Sequence, residues 1–203
     1  WYVNDGSENF TEHVISDSAD GAYSVYASDV DGDGDTDVLS ASGSDDKIAW
    51  YEQDGSPVIE TTYVPDDNFE QALIDLGYDD VLDDYVLTEN LSDVTELNVS
   101  SKEISDLTGI EDFVSLTHLY CGENQLTSLD VSNNTALVDL DLGMNQLTNL
   151  DVSNNPALEI LWCHENQLTN LDVSNSINLL ELYADNNQLT SLDVSNNTSL
   201  EHF

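Results

Sequence analysis

From residue 116 to residue 199 the chain repeats one 21-residue pattern four times. Leu116, Leu137, Leu158, Leu179 and Leu200 open successive copies, and each full copy reads L-x-x-L-x-(C/L/A)-x-x-N-Q-L-T-(S/N)-L-D-V-S-N-x-x-x. A short fixed period constrains the fold more than composition can, because one copy cannot bury its apolar face alone and must stack on its neighbours. Six apolar side chains per copy turn inward, for example Leu116, Leu119, Cys121, Leu126, Leu129 and Val131. Asn124, Asn145, Asn166 and Asn187 fall at the turn after the first strand of each copy. Stacked amides there can bond backbone groups that a tight turn leaves unpaired.

Leu and Asn at these offsets, with a period between 20 and 29, mark a leucine-rich repeat solenoid. The expected fold class is mostly β. Residues 94–115 form a divergent 22-residue copy, with Val94, Leu97, Val99, Ile104, Leu107 and Ile110 in the core slots and Lys102 where later copies carry Asn. Ahead of it, residues 65–93 read as a helical N-terminal cap. Pro65 precedes Asp67-Asn68-Phe69-Glu70, which reads as a capping box with Asp67 as the cap. Phe69, Ala72, Leu73 and Leu76 then fall at helical spacing and Gly77 closes the helix. The solenoid region is 94–203, and its last copy breaks off three residues after Leu200, which reads as a truncated C-terminus.

Residues 1–56 differ in kind. Trp1-Tyr2-Val3-Asn4-Asp5-Gly6-Ser7 recurs as Trp50-Tyr51-Glu52-Gln53-Asp54-Gly55-Ser56. Between the two lie strand-like runs at Phe10–Ser16, Tyr23–Ser28, Thr36–Ser42 and Lys47–Gln53. Four short strands in such a period match one β-propeller blade, so more blades are expected before Trp1. Residues 57–64 read as a connector. The chain begins at Trp1 and not at Met, which reads as an internal piece of a longer protein.

The charge is lopsided: 42 Asp and Glu stand against Lys47 and Lys102, for a net charge of −40. Nucleic acid and anionic membranes reward Lys and Arg, so neither is an expected partner. No stretch reaches the roughly 18 apolar residues of a membrane span. Self-repulsion of this size favours a salty or calcium-rich setting, most simply outside the cell. Cys121 and Cys163 share a repeat position two copies apart. With rungs about 4.8 Å apart, their Cα atoms lie roughly 9.6 Å apart. That is beyond the about 7 Å limit of a disulfide, so both are expected as buried core thiols.

One loop carries metal-binding chemistry. In Asp29-Val30-Asp31-Gly32-Asp33-Gly34-Asp35-Thr36-Asp37, alternate carboxylates converge on one point if Gly32 and Gly34 let the chain turn tightly. Asp29, Asp31, Asp33 and Asp37 would offer carboxylates and Asp35 its backbone carbonyl, an oxygen set suited to Ca²⁺. An EF-hand would also need Glu at position 12, where this chain has Ser40, and strands flank the loop. A structural calcium ion that ties two strands together is the expectation.

The outward positions of the first strand in each copy form a second candidate site. Side chains alternate along a strand, so Tyr120, Asp141, Trp162 and Tyr183 form one exposed column. His118, Asp139, Ile160 and Glu181 flank it on one side, and Gly122, Gly143, His164 and Asp185 on the other. Aromatic rings among carboxylates suit sugar stacking or a protein hot spot. The expected ligand-binding residues are His118, Tyr120, Asp141, Trp162, His164 and Tyr183. A third column, Asp130, Asp151, Asp172 and Asp193, either caps turn N–H groups or holds cations between rungs.

With these motifs on the page, residues 65–203 resemble bacterial extracellular leucine-rich repeat proteins of the internalin-like sort. The resemblance is carried by the cap, "SDLTGIEDF" and "NQLTSLDVSNNTAL". Residues 1–56 resemble an FG-GAP/VCBS-type propeller repeat with its calcium loop, carried by "DVDGDGDTDVLSAS". The resemblance implies a secreted or bacterial surface-anchored multidomain protein for adhesion or ligand binding, and it names no ligand; the residues themselves point to a protein or glycan on the concave face and to a Ca²⁺ cofactor in the loop. The residues themselves give no support for catalysis. His13, His118, His164 and His202 are scattered, with no nucleophile pattern, phosphate-cradling loop or CxxC pair beside them. An accessory region of a secreted multidomain hydrolase and a structural surface spacer are the alternatives.

Overall fold

The computed structural model describes residues 2–4, 10–12, 22–28, 37–42, 47–51 and 60–203. The chain divides into two units, Trp1–Ile59 and Glu60–Phe203.

In the first unit, β1 (Tyr2–Asn4) pairs antiparallel with β2 (Phe10–Glu12). β3 (Ala22–Ser28), β4 (Asp37–Ser42) and β5 (Lys47–Tyr51) form an antiparallel meander. β2–β5 overlap the four runs read from alternation, with β3 starting one residue earlier and β2 and β5 ending earlier than expected, while β1 lies outside those runs. Leu39 stands opposite both Tyr26 and Trp50.

The second unit opens with β6 (Thr61–Tyr63), paired antiparallel with β7 (Tyr85–Leu87). Residues 61–63 are therefore strand and not part of a bare connector. Between the two strands runs α1 (Asp67–Leu76). Its cap is Asp66, one residue earlier than the capping-box reading places it: Asp66 is extended, and its side chain accepts from the N–H of Asn68 and Phe69. The other oxygen of Asp66 accepts from Ser105 N–H, Ser105 Oγ and Asp106 N–H, so the cap residue also fastens the helix to the first repeat. Glu70 takes no part in capping. It is fully buried, and its Oε1 accepts from the N–H of Asp83 and Tyr85 in the segment entering β7.

α1 buries Phe69, Ala72 and Leu73, while Leu76, expected on the same stripe, is 46% exposed. Phe69 stacks on Phe113 with ring centroids 6.5 Å apart, which joins the helix to the solenoid core. Gly77 closes the helix in the left-handed conformation (φ 84°), which a side chain would resist. A short helix, α2 (Glu89–Ser92), leads into the solenoid.

Five strands of three residues then stack in parallel: β8 (Glu96–Asn98), β9 (His118–Tyr120), β10 (Asp139–Asp141), β11 (Ile160–Trp162) and β12 (Glu181–Tyr183). Their order in the sheet is their order in the chain. Leu97, Leu119, Leu140, Leu161 and Leu182 stand opposite one another and point inward, so the 21-residue period is the register of the sheet. Each fully buried Leu or Val adds about 1.5–3 kcal/mol of hydrophobic stabilisation. Beyond the strands the ladder continues: Cys121, Leu142 and Cys163 N–H donate to the carbonyls of Asp141, Trp162 and Tyr183.

Two amide ladders tie the rungs together. In the first, Asn145 Oδ1 accepts from Leu126 N–H, and its Nδ2 donates to the carbonyls of Cys121 and Leu142. Asn124, Asn166 and Asn187 repeat this arrangement. The residue before each, namely Glu123, Met144, Glu165 and Asn186, has φ between 52° and 57°, the reversal that aims the amide inward. The second ladder lies at a position the repeat pattern leaves open. Asn134, Asn155 and Asn197 are all but fully buried, and Asn155 Nδ2 donates to the carbonyls of Val131 and Asn134. Ser176 interrupts it, buried with a hydroxyl that has no partner. Cys121 and Cys163 are buried free thiols, as expected. Burial pushes both thiol pKa values up, that of Cys163 to about 12.

Candidate ligand-binding face

The outward residues of β9–β12 fall into two neighbouring groups. On β9 and β10 the polar groups bond to one another. Tyr120 hydroxyl donates to Asp139 Oδ2 at 3.1 Å, Thr117 Oγ1 lies 2.8 Å from His118 Nδ1, and the rings of His118 and Tyr120 are 6.4 Å apart. Burial pushes the Tyr120 hydroxyl up to about 12, helped by its bond to Asp139. Burial also holds the Asp139 carboxyl above its ordinary value, against the hydrogen bond from Tyr120. Asp141 Oδ1 accepts from Gly143 N–H at 3.0 Å.

On β11 and β12 the character changes. Trp162, His164, Tyr183 and Asp185 line an open cleft of about 290 Å³. The Trp162 and Tyr183 rings meet edge to face, with centroids 5.7 Å apart and planes at 79°. Tyr183 is 40% exposed. Trp162 Nε1 and His164 Nδ1 are shielded from solvent and have no hydrogen-bond partner. His164 lies over Gly143, whose missing side chain leaves room for the imidazole.

All six residues read as ligand-binding therefore lie on one face, but Trp162, His164 and Tyr183 form the cleft while His118, Tyr120 and Asp141 stand beside it. Sequence reasoning left Asp185 out of the ligand set. The signal for it was its column, shared with His164.

Larger grooves of about 390 Å³ lie between turns elsewhere on the solenoid, lined by Asp130 and Ser132 in one and by Asp172, Ser174 and Asp193 in the other. There each Asp of the column accepts from the N–H two residues on: Ser132 for Asp130, Ser153 for Asp151, Ser174 for Asp172 and Ser195 for Asp193. These bonds from the following Ser hold all four carboxyls below the ordinary value. Capping is thus their observed role. Among the described residues no three His, Cys, Asp or Glu side chains stand close enough together to hold a metal ion.

Of the expected calcium ligands, Asp29, Asp31, Asp33 and Asp35 lie outside the described residues. Asp37 is the first residue of β4, and its side chain also lies outside what the structure describes. Among the described residues no helix is long and apolar enough to cross a membrane.

A stacked parallel sheet, paired amide ladders and a helical cap define a leucine-rich repeat solenoid, and it is similar to those of the internalins. Internalin J of Listeria monocytogenes serotype 4b (strain F2365) is 41% identical over 73 residues, 36% of this chain and 8% of that protein. The solved functional domain of InlJ from L. monocytogenes, which includes a cysteine ladder, is 35% identical with a TM-score of 0.53, covering 70% of this chain and 37% of that one. The crystal structure of internalin inlF from L. monocytogenes matches at 26% identity and a TM-score of 0.65, covering 69% of this chain and 43% of that one. The chain thus spans less than half the length of these relatives. A family profile described as an FG-GAP-like repeat matches residues 1–40.

Proposed function

We propose that the chain is a non-catalytic recognition module, on a bacterial surface or secreted, that binds a protein or glycan on the outward face of β9–β12. The observation that carries this reading is the Trp162–Tyr183 cleft. Packing of the core does not require either ring there, yet Tyr183 is 40% exposed and Trp162, edge to face with it, is only partly buried, beside a His164 Nδ1 without a partner. Rigid aromatic side chains in such a setting give contact area at little entropic cost. In this reading residues 1–56 are a propeller-type FG-GAP/VCBS repeat. A structural calcium ion in the 29–37 loop is held by the carboxylates of Asp29, Asp31, Asp33 and Asp37 and by the Asp35 carbonyl. The donor set is all oxygen, as a hard cation requires.

The test is a binding screen in millimolar calcium against polysaccharides and candidate surface proteins, with the wild type beside Trp162→Ala/Tyr183→Ala. Capture by the wild type and loss in the folded double variant supports the module. Equal capture by both, or none by either, removes it. Calorimetric titration with Ca²⁺, comparing wild type with Asp31→Asn/Asp33→Asn, tests the loop separately.

A further inference from the structure

The cleft on β11 and β12 combines ring faces with negative charge. Asp185 lines it, its Oδ2 accepting from Asn186 Nδ2 and its Oδ1 left for a ligand, and Glu181 and Asp141 stand on the same sheet face beside Tyr183 and Trp162. Of the two lysines, Lys102 is engaged elsewhere, 3.7 Å from Asp75. The whole chain carries a net charge of −40. An electron-rich ring face beside a carboxylate is the setting in which an organic cation is held, the ring through its quadrupole and the carboxylate through charge and hydrogen bonding. The edge-to-face arrangement gives one pocket with two differently oriented rings, which suits a compact cationic head better than a flat sugar ring that stacks along a shared plane.

Building on the recognition reading above, we propose that the cleft of Trp162, Tyr183 and Asp185 takes an Arg or Lys side chain from a basic segment of a protein partner. The negative field of the chain steers such a segment to the face, so association is fast at low salt and slows as salt is added.

The test uses two ten-residue synthetic peptides on the full chain, one with alternating Arg and one with citrulline at the same positions. Citrulline keeps the shape and removes the charge. Isothermal titration at low salt reads affinity, and a neutral oligosaccharide panel is run beside it. A chain this acidic attracts any cation diffusely, so the deciding variant is Trp162→Leu/Tyr183→Leu, which leaves the charge unchanged.

The expected result is that the Arg peptide binds wild type about tenfold or more tightly than the citrulline peptide, and that the folded Leu/Leu variant loses about tenfold. Asp185→Asn should weaken the Arg peptide severalfold. Equal binding of the Arg peptide to wild type and Leu/Leu variant would reduce the effect to diffuse attraction and overturn the proposal. A neutral oligosaccharide that binds wild type and is lost in the Leu/Leu variant, with no preference for Arg over citrulline, overturns the cation assignment and leaves the recognition face standing. Absence of binding by every probe removes the cation site.

Discussion

The imidazole of His164 occupies the place where a side chain of Gly143, one rung away, would stand. A Cβ on Gly143 would come within 2.7 Å of Nδ1 and 2.8 Å of Nε2. Gly143 has no positive φ, so its backbone would accept any residue, and what the glycine provides is room. Gly143→Ala should therefore fold with little change in thermal midpoint while the imidazole swings away. Its histidine ring resonances would shift in NMR spectra, and the cleft beside Trp162 would change shape. Unchanged His164 resonances would mean the ring is not seated there.

The interrupted amide ladder gives a stability prediction of each sign. Ser176→Asn should supply the missing side chain, donating to the carbonyls of Val152 and Asn155 as Asn155 does to Val131 and Asn134. A gain of about 1 kcal/mol is expected from the added bonds. Asn155→Ala should cost roughly 1–3 kcal/mol, because the carbonyls of Val131 and Asn134 each lose one of two donors and keep only the N–H of Asn134 and of Leu137. Urea unfolding measures both, and a destabilised Ser176→Asn variant would show that the ladder geometry is broken at that rung.

The Asp column sets a pH dependence. The folded-state pKa values of Asp130, Asp151, Asp172 and Asp193 lie below the ordinary value, chiefly through the N–H bonds of the following Ser. A depressed folded pKa means that the carboxylates stabilise the fold above the unfolded-chain value, and that this contribution disappears as pH falls through the folded one. Asp151→Asn should therefore lower the urea midpoint at neutral pH and lower it by less at about pH 2.5. A difference that stays constant with pH would deny the carboxylate its role.

Cys121 and Cys163 should be inert to thiol reagents in the folded chain. Both are buried, and Cys163, with its pKa pushed up to about 12, has almost no thiolate at pH 8. Ellman's reagent should release no colour in buffer and label both thiols in urea. Rapid labelling without denaturant would mean that the rungs open.

The solenoid was legible because its signal is written many times over: a Leu at 116, 137, 158 and 179 states the register of the sheet directly. The outward face could be read for the same reason, since alternation along a three-residue strand follows from knowing which Leu points inward. Features written once were harder. Asp66 and Asp67 are both acceptable caps, and what favours Asp66 includes contacts with Ser105 and Asp106, 39 and 40 residues away, which local pattern does not show. Glu70 fits a capping box locally, but its bonds run to Asp83 and Tyr85 across the cap unit. The second amide ladder hid behind Ser176, which breaks its column. The fit of His164 over Gly143 depends on side-chain direction between rungs, which periodicity does not encode.

The hydrogen bonds of the two ladders join residues one copy apart, and the regular copies share one length. In genetic terms such a gene can recombine with itself in frame, inserting or deleting a whole rung while every remaining pairing stays intact. The alphabet of the outward face is then open to change copy by copy, as Tyr120, Asp141, Trp162 and Tyr183 already show, while the Leu and Asn columns hold the line on which the letters are set.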